Sequence, residues 1–344
     1  MLKNNLSFSL TETIVRRFFK EFKGSPKRSL RNIVDIALHF SEGRFQKGFF
    51  SAIQNMLKNS DSAYYKMIED MVYDLEMDRL VTFGMNVGYN SCTEGAKIIR
   101  NIEAKEQFNI PWSVSLQVNG QNLSDHFEEY ETFIKQGNEL GVHTWMVYSN
   151  NAAVQVVDLA KHFPDDAFII FADCDEVDSN LSSRTKHAKN MMIALKYGSG
   201  IEDACCRLRE AGMLYSIYKV YRKDEAEVIK DGSFLKKAEA MKPVFTGFMI
   251  GEEDSEAVAE DMFYDIKGAR DGQRYSTVPR DIIKDSMTID SIISDDSCFV
   301  FFEENGDLIT YDNGYRKMTG NLFEQSLKDI LESNFPKQTK DARI

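Results

Sequence analysis

The densest group of chemically active side chains is the run Asp173-Cys174-Asp175-Glu176-Val177-Asp178, which follows an apolar stretch. Several carboxylates in one loop are the ligands that hard cations such as Ca²⁺ and Mg²⁺ prefer. The spacing lacks the glycine and the distal glutamate of a Ca²⁺-binding loop. The run therefore favours acidic caps at the start of a helix, and whether it binds a cation stays open. The same interpretation covers Glu252-Glu253-Asp254, which precedes the helical sequence SEAVAEDMFYDI.

Other arrangements with a known chemistry are missing from the sequence. The five histidines form no HxH or HExxH pair, and the five cysteines form no CxxC pair. No metal site and no catalytic residue is therefore predicted. The chain also has no GxSxG motif, no P-loop and no GxGxxG motif. It therefore lacks the motifs that a serine hydrolase, an NTPase or a dinucleotide-binding enzyme needs. The cysteines are expected to be free thiols in a reducing compartment.

Composition and charge limit the partners. The chain has 344 residues, 43% hydrophobic and 28% charged, which is typical of a folded globular protein. Its formal net charge is −12 and its Lys and Arg residues are scattered, so neither nucleic acid nor an anionic membrane is an expected partner. The N-terminal sequence contains no apolar core of signal-peptide length, and no later run is long enough to span a bilayer. These features predict a cytoplasmic protein.

The elements that must position any site are strands that alternate with helices between residues 109 and 290. This alternation predicts an α/β fold in which parallel strands are covered by helices. Six strands are predicted, at 111–118, 143–149, 166–173, 191–198, 213–221 and 243–251. Six such units indicate a partial (β/α)6 TIM-like barrel.

In such folds the ligand site lies at the C-terminal ends of the strands, because the loops and helix N-termini converge there. The side chains at those ends are the candidate ligand-binding residues, namely Gln117, Asn119, Tyr148, Ser149, Asn150, Asp173, Asp175, Lys196, Lys219 and Glu252. Tyrosines and tryptophans on the same strands suit an amphipathic ligand or a peptide. Because side chains alternate along a strand, only some of these rings can point inward.

Two regions flank the predicted barrel. Residues 1–108 form an N-terminal helical domain and lead-in, with four amphipathic helices that begin near residues 9, 29, 45 and 62. Residues 291–344 form a small tail, in which SCFVFFEENGDLITYD predicts an antiparallel hairpin with its turn at Asn305-Gly306. A closing helix, FEQSLKDILES, follows the hairpin.

Three stretches carry a resemblance to a known family. They are VTFGMNVGYNSCTEGAKIIRNIEAKEQFNIPW (81–112), IKQGNELG (134–141) and the tail ENGDLITYDNGYRKMTGNLFEQSLKDILES. In this order they resemble the lead-in, the first barrel helix and the SPASM-like tail of radical-SAM proteins. The resemblance implies a barrel of radical-SAM type, followed by a small SPASM or twitch-like tail.

The sequence departs from this family at the positions that carry its chemistry. The family's CxxxCxxC loop follows the first strand, whereas this chain has Asn119-Gly120-Gln121-Asn122-Leu123 there. The methionine-binding GGEP-type element is replaced by Ser149-Asn150-Asn151-Ala152, and Asp312 or a neighbour stands where a tail cysteine would fall. An iron–sulfur cluster needs thiolate ligands, so neither a cluster nor standard radical-SAM activity is expected. Residual SAM binding would have to rest on backbone contacts of the later strands.

Two functions follow from this departure. The first is a cluster-less, non-catalytic accessory protein that binds a peptide or a partner protein, such as an intact radical-SAM enzyme, in a peptide or natural-product modification system. Its acidic surface would suit a basic leader peptide. The second is an enzyme that reuses the barrel mouth for non-radical chemistry, for example acid–base work by Asp173, Asp175 or Glu252 with Lys196 or Lys219.

Overall fold

The computed structural model describes residues 6–22, 26–39, 41, 43–251, 256–294, 296, 298–312 and 315–337. Its helices are α1 (Leu6–Phe22), α2 (Pro26–His39), α3 (Gly43–Met56), α4 (Tyr64–Asp74), α5 (Met77–Met85), α6 (Ala96–Glu106), α7 (Gly120–Asp125), α8 (Phe127–Leu140), α9 (Ala153–Lys161), α10 (Ser179–Arg184), α11 (Ile201–Glu210), α12 (Ala226–Lys230), α13 (Ser233–Ala240), α14 (Glu256–Gly272), α15 (Ile282–Ile293) and α16 (Leu327–Asn334). Its strands are β1 (Ser113–Asn119), β2 (Thr144–Asn150), β3 (Ala167–Ala172), β4 (Met191–Lys196), β5 (Tyr215–Tyr221), β6 (Phe245–Ile250), β7 (Val278–Asp281), β8 (Phe301–Phe302), β9 (Asp307–Asp312) and β10 (Tyr315–Asn321).

The strands form one sheet in the order β10-β9-β8-β1-β2-β3-β4-β5-β6-β7. Neighbours from β1 to β7 pair in parallel and in chain order. Parallel neighbours need a crossover connection, which the helices provide here. The prediction of an α/β fold with a parallel sheet is confirmed.

All six predicted strands are present, and the sequence missed β7. This strand is only four residues long and contains Pro279. Proline cannot donate a hydrogen bond to a sheet, so it is confined to edges, and β7 is the last strand of the sheet. A proline in such a short run weakens the pattern from which a strand is recognised.

The tail is a continuation of the same sheet. Strand β8 lies parallel to β1, with Phe301 opposite Ser115 and Phe302 opposite Leu116. The predicted hairpin is confirmed, because β8 pairs antiparallel with β9 and the connection contains Asn305-Gly306. Gly306 has a φ of +85°, a conformation that L side chains rarely adopt.

The N-terminal region is helical as predicted, but its last predicted helix is two helices. Helix α4 ends before Leu75, which has an extended backbone (φ −106°, ψ 154°). The Glu76 N–H donates to the Gly212 carbonyl at 3.1 Å. The break directs the buried Arg79 at the carbonyls of Ala188 (2.6 Å) and Thr185 (2.8 Å). Contacts between distant parts of the chain therefore override the helical periodicity of 62–78.

The lead-in between α5 and α6 is a wider, π-helical segment, Asn86–Gly95, at the amino ends of the strands. The Asn86 side chain donates to the Asp166 carbonyl at 2.7 Å, and the Asn90 side chain donates to the Asp165 carbonyl at 2.8 Å. Both carbonyls precede β3. The lead-in therefore lies at the sheet edge opposite the carboxyl ends of the strands.

One apolar core runs through the three predicted regions. It contains Leu80 and Ile99 from the N-terminal part, Trp145 and Phe168 from the sheet, and Phe302 from the tail. All five side chains are buried. The proposed boundaries at 108 and 290 stay predictions.

Candidate binding site at the sheet mouth

The carboxyl ends of β1 to β7 meet at one edge of the sheet, which we call the mouth. Side chains from β2 to β7, together with Ile282 at the start of α15, line one cavity of about 20 Å³. A sheet whose second and seventh strands line the same cavity is curved, and we call this concave side the inner face. Tyr148 stacks on Phe171, which lines the cavity, and Gln117 lies opposite Tyr148 in register. Gln117 and Tyr148 therefore lie on the inner face.

The ends of β1 and β2 are joined to the tail by a network around Glu304. The Asn119 side chain donates to Glu304 Oε2 at 2.8 Å, and the Asn150 side chain donates to Glu304 Oε1 at 2.9 Å. Asn119 Oδ1 also accepts the Asn122 N–H at 2.8 Å, and the Asn122 side chain donates to the Glu304 carbonyl. We call this group the Glu304 clamp. It joins two predicted site residues, Asn119 and Asn150, to a tail residue that sequence reasoning missed.

Ser149 has a different role from its neighbours on β2. Its hydroxyl lies 3.0 Å from Glu176 Oε1 and donates to the Phe171 carbonyl at 3.0 Å. Glu176 also accepts the N–H of Ala153, the first residue of α9, at 2.9 Å. Burial raises the pKa of Glu176 above its ordinary value, and these hydrogen bonds oppose the shift. Ser149 and Glu176 thus complete the start of α9.

The remaining acids of the 173–178 run lie at the surface. The side chains of Asp173 and Asp175 are exposed at the end of β3. Asp178 caps α10 by accepting the Leu181 N–H at 2.8 Å. The prediction that this run supplies helix caps is confirmed for Asp178. Among the residues that the structure covers, no group of three or more His, Cys, Asp or Glu could hold a metal ion.

The predicted basic residues are not brought together. Lys196 is exposed at the end of β4. Lys219 packs against helices, with Nζ 2.6 Å from Glu225 Oε1 and 5.9 Å from the centre of the Phe234 ring. The alternation of side chains along β5 places Lys219 on the outer face, opposite to Tyr218. The last candidate, Glu252, lies outside the described residues.

An aromatic strip crosses the inner face. Tyr148 and Phe171 are stacked, with ring centres 4.2 Å apart and planes at 12°. Tyr218 meets Phe171 edge-on at 5.2 Å, and Phe301 of the tail lies 5.6 Å from Tyr148. Burial raises the pKa of both tyrosines above the ordinary value. Phe171 and Tyr218 are buried, whereas Tyr148 and Phe301 are partly exposed. The strip is therefore a neutral, apolar layer that opens to the mouth at Tyr148 and Phe301.

Arg280 is the inner-face residue that the sequence did not indicate. It lies opposite Gly247 on β6 and lines the same cavity as Phe171 and Tyr218. Its Nε is buried without a hydrogen-bond partner, and its Nη2 donates to Ser286 Oγ only at 3.4 Å. Burial lowers the pKa of Arg280, although its guanidinium interacts at longer range with nearby acids. The missed strand β7 explains why this arginine was missed.

The acids near Arg280 in the described structure interact with it only at longer range. Within the described parts of the chain, none of the Asp or Glu oxygens lies within 4.0 Å of its guanidinium. Asp285 is the first of the acids that raise the pKa of Arg280, but Arg270 holds it at 2.6 Å. Asp281 caps α15 by accepting the N–H groups of Ile283 and Lys284. The positive charge of Arg280 is thus compensated only at a distance.

The exit of β1 does not fit an iron–sulfur cluster. Helix α7 begins at Gly120, directly after the capping residue Asn119, so no loop separates strand and helix. The five cysteines are free, and none lies in this connection. Cysteine thiolates are the ligands that hold such clusters. This connection therefore offers no ligand set for a cluster.

The fold, with its parallel strands and a mouth at their carboxyl ends, is similar to that of solved structures. Solved structures that share it include SuiB of Streptococcus suis bound to S-adenosylmethionine (TM-score 0.51, 10% identity, 68% of this chain and 66% of that chain). SuiB bound to its precursor peptide SuiA also matches, with a TM-score of 0.52, 10% identity and coverage of 70% of this chain and 69% of that chain. A further structure of SuiB matches with a TM-score of 0.50, 10% identity and coverage of 93% of this chain and 81% of that chain. This chain spans just under two thirds of the length of the first of these SuiB chains.

The sequence itself gives no such match. No protein-family model matches the chain, and no curated protein matches it. At 10% identity the likeness to SuiB shows the fold alone. None of the helices that the structure describes is both long and apolar enough to cross a membrane.

Proposed function

We propose that this chain is a cluster-less radical-SAM-like protein that binds a peptide or a partner protein and carries out no radical chemistry. In this proposal the curved sheet is a partial barrel of radical-SAM type, and β8 to α16 are the remnant of a SPASM-like tail. The observation that carries the proposal is the exit of β1. Asn119 caps α7 there and is held by Glu304, at the position where the family would place its cysteine loop.

The packing of the inner face supports the absence of S-adenosylmethionine. Sites for drug-sized ligands typically enclose about 300–1,000 Å³, whereas the cavity between β2 and β7 has about 20 Å³. Such a space holds about one water molecule. Ile282 fills part of the interior, since a Cβ on Gly247 would lie 3.0 Å from it. We therefore propose that no cofactor is bound.

Two observations support a peptide or protein partner. SuiB has been solved with its precursor peptide, and the aromatic strip has two partly exposed rings at the mouth, Tyr148 and Phe301, of the kind of side chain favoured in interfaces. The net charge of −12 favours a basic partner. The partner is a leader-type peptide or an intact radical-SAM enzyme of the same modification system in the cytoplasm.

Reconstitution with iron and sulfide under anaerobic conditions tests the cluster-less part. We expect no stoichiometric iron, no charge-transfer absorbance, no shift of Tm with S-adenosylmethionine and no 5′-deoxyadenosine, because the chain lacks the ligand set. An intact radical-SAM enzyme treated in parallel is the positive control. About four iron atoms per chain, or a Tm that rises with S-adenosylmethionine concentration, would contradict the proposal and favour the enzyme alternative.

Binding of labelled peptides tests the partner. Fluorescence anisotropy with a lysine-rich leader-type peptide and an acidic peptide of equal length should show saturable binding of the basic peptide only. The affinity should fall with added salt, because the contribution of surface charge is screened. Equal binding of both peptides, or of neither, would count against a basic peptide partner.

A further inference from the structure

We propose that Arg280 is an anchor for a carboxylate group of the bound peptide, at the inner face of the sheet beside Tyr218 and the aromatic strip. The inference rests on the proposed peptide-binding function and names the chemistry that the site recognises. Neither the sequence pattern nor the fold likeness points to this residue.

The first step of the argument is the unused hydrogen-bonding capacity of Arg280. A guanidinium carries five N–H donors in a fixed fork. Here Nε is buried and has no partner among the described residues, and the one side-chain hydrogen bond found within them, to Ser286 Oγ, is long at 3.4 Å. Buried polar groups in folded proteins are nearly always paired. An arginine that keeps free donors toward a cavity is therefore poised for an acceptor from outside the chain.

The second step is the shape and polarity of the surroundings. Carboxylates match the arginine fork with two parallel hydrogen bonds. The space between β2 and β7 has about 20 Å³ and holds about one water molecule, so a carboxylate must meet the guanidinium at the mouth and not inside this space. The side chain of Arg280 is half-buried, so a headgroup can reach it from the mouth. Its guanidinium lies 5.8 Å from the centre of the Phe245 ring, which leaves an apolar wall beside the charge.

The third step separates a peptide from a small free acid. Tyr218, which lines the cavity with Arg280, begins the aromatic strip that continues through Phe171 and Tyr148 to Phe301. Phe171 and Tyr218 are buried, and the rings that are partly exposed are Tyr148 and Phe301 at the mouth end of the strip. A peptide carboxylate at Arg280 with an apolar side chain against these two rings uses both features, whereas a single headgroup uses only the first.

Calorimetric titration of the full chain with a matched ligand pair tests the anchor. The probes are N-acetyl-Lys-Phe-Phe with a free C-terminal carboxylate and the same tripeptide with a C-terminal amide. We expect the acid to bind about 10- to 100-fold more tightly, the range of a charged hydrogen bond. Arg280→Met should remove this preference, so that acid and amide bind with equal affinity, whereas Arg280→Lys should keep part of it. Equal affinities for acid and amide, or an acid preference that survives in Arg280→Met, would overturn the anchor.

Two further arms identify the source of the anion. Free L-phenylalanine should bind more weakly than the tripeptide acid, and equal binding would assign the site to a small acid and overturn the peptide assignment. Millimolar inorganic phosphate should not displace the tripeptide acid, and full displacement would overturn the assignment to a carboxylate. If Arg280→Met fails to fold, protection of wild-type Arg280 from phenylglyoxal decides the question. Protection by the acid but not the amide supports the anchor, and equal protection overturns it.

The result separates this inference from the proposed function. If the lysine-rich leader peptide binds both the wild type and Arg280→Met with the same affinity, the peptide-binding function stands and the anchor falls. If iron or S-adenosylmethionine binds, the proposed function falls whatever the acid and amide show.

Discussion

The two sides of the mouth differ in how their polar side chains are used. At β1 and β2, Asn119 and Asn150 both donate to one carboxylate of the tail, Glu304. At β7, Arg280 lines the cavity with an unpaired Nε. The first side is completed within the chain, and the second is completed only if another molecule supplies an acceptor.

This difference distinguishes polar groups that are paired within the chain from one that is not. Removing one partner of a paired, partly exposed network costs about 0.5–1.5 kcal/mol. Replacing an unpaired buried charge by an apolar side chain of similar volume is often neutral or stabilising. Stability measurements at the two sides should therefore give opposite results.

The largest effect is expected from the apolar contact that fixes the tail beside β1. Phe302→Ala should lower the free energy of unfolding by about 3–5 kcal/mol, because Phe302 is fully buried and meets the Phe133 ring at 5.0 Å. Urea denaturation measures the change. Met318→Ala is the control, since Met318 is 64% exposed on the tail's edge strand β10 and should change stability by less than about 0.5 kcal/mol. A small loss for Phe302→Ala would mean that the tail is not an integral part of the β1 side.

The second prediction concerns pH and the junction of tail and sheet. Burial raises the pKa of Asp290 to about 7, and its carboxylate accepts the N–H groups of Trp112 and Cys298 at 2.8 and 2.9 Å. Between its ordinary value near 4 and about 7, the folded state holds a proton that the unfolded state has released. Stability should therefore fall as pH rises through this window, by at most about 1.4 kcal/mol per pH unit.

Urea denaturation at several pH values, in the wild type and in Asp290→Asn, measures this dependence. The variant should show a shallower slope. Asp281, whose pKa burial raises to about 6, contributes in the same direction and should keep part of the slope in the variant. Identical slopes in both proteins would exclude Asp290 as a source of the pH dependence.

The third prediction concerns substitutions that remove the Glu304 clamp. Glu304→Ala should cost about 0.5–1.5 kcal/mol, because the Asn119 and Asn150 side chains lose their acceptor but remain within reach of water. Glu304→Gln should cost less, since its carbonyl oxygen can still accept one of the two hydrogen bonds. Measuring the free energy of unfolding of both variants tests whether Glu304→Ala loses more stability than Glu304→Gln. No loss in either would show that the clamp is not structural.

The smallest stability effect is expected on the opposite side. Arg280→Met should leave the free energy of unfolding within about 1 kcal/mol of the wild type or raise it, because no carboxylate contacts the guanidinium among the described residues. Thermal and urea denaturation provide the measurement. A loss of more than about 2 kcal/mol would assign Arg280 to the structure and remove the contrast between the two sides.

Strands β1 to β6 could be recognised from the sequence because each carries its own pattern of apolar residues. The runs that became β1 to β6 are apolar and bounded by helical sequences, and all six are present in the sheet. Strand β7 has no such pattern, because it is short and contains Pro279. Its pairing with β6 supplies what its own sequence does not.

The candidate site was only partly visible for a related reason. Strand order places Gln117, Asn119, Tyr148 and Asn150 at one edge, so their proximity follows from a parallel sheet. Lys219 occupies an equivalent position in sequence but lies on the outer face against Phe234. Which side of a strand faces inward depends on the packing of helices against the sheet, and a single strand does not encode it unambiguously.

By itself, the sequence determined the α/β fold, the hairpin at Asn305-Gly306 and the lack of cysteines after β1, because these depend on local patterns and residue types. The tertiary structure alone decided that Glu304 reaches Asn119 and Asn150 and that Arg280 lines the inner face with no carboxylate of the described residues in contact. Glu304 is 185 residues from Asn119 in the chain. Contacts over such separations arise from the register of the sheet and the path of the tail, and no local pattern specifies them.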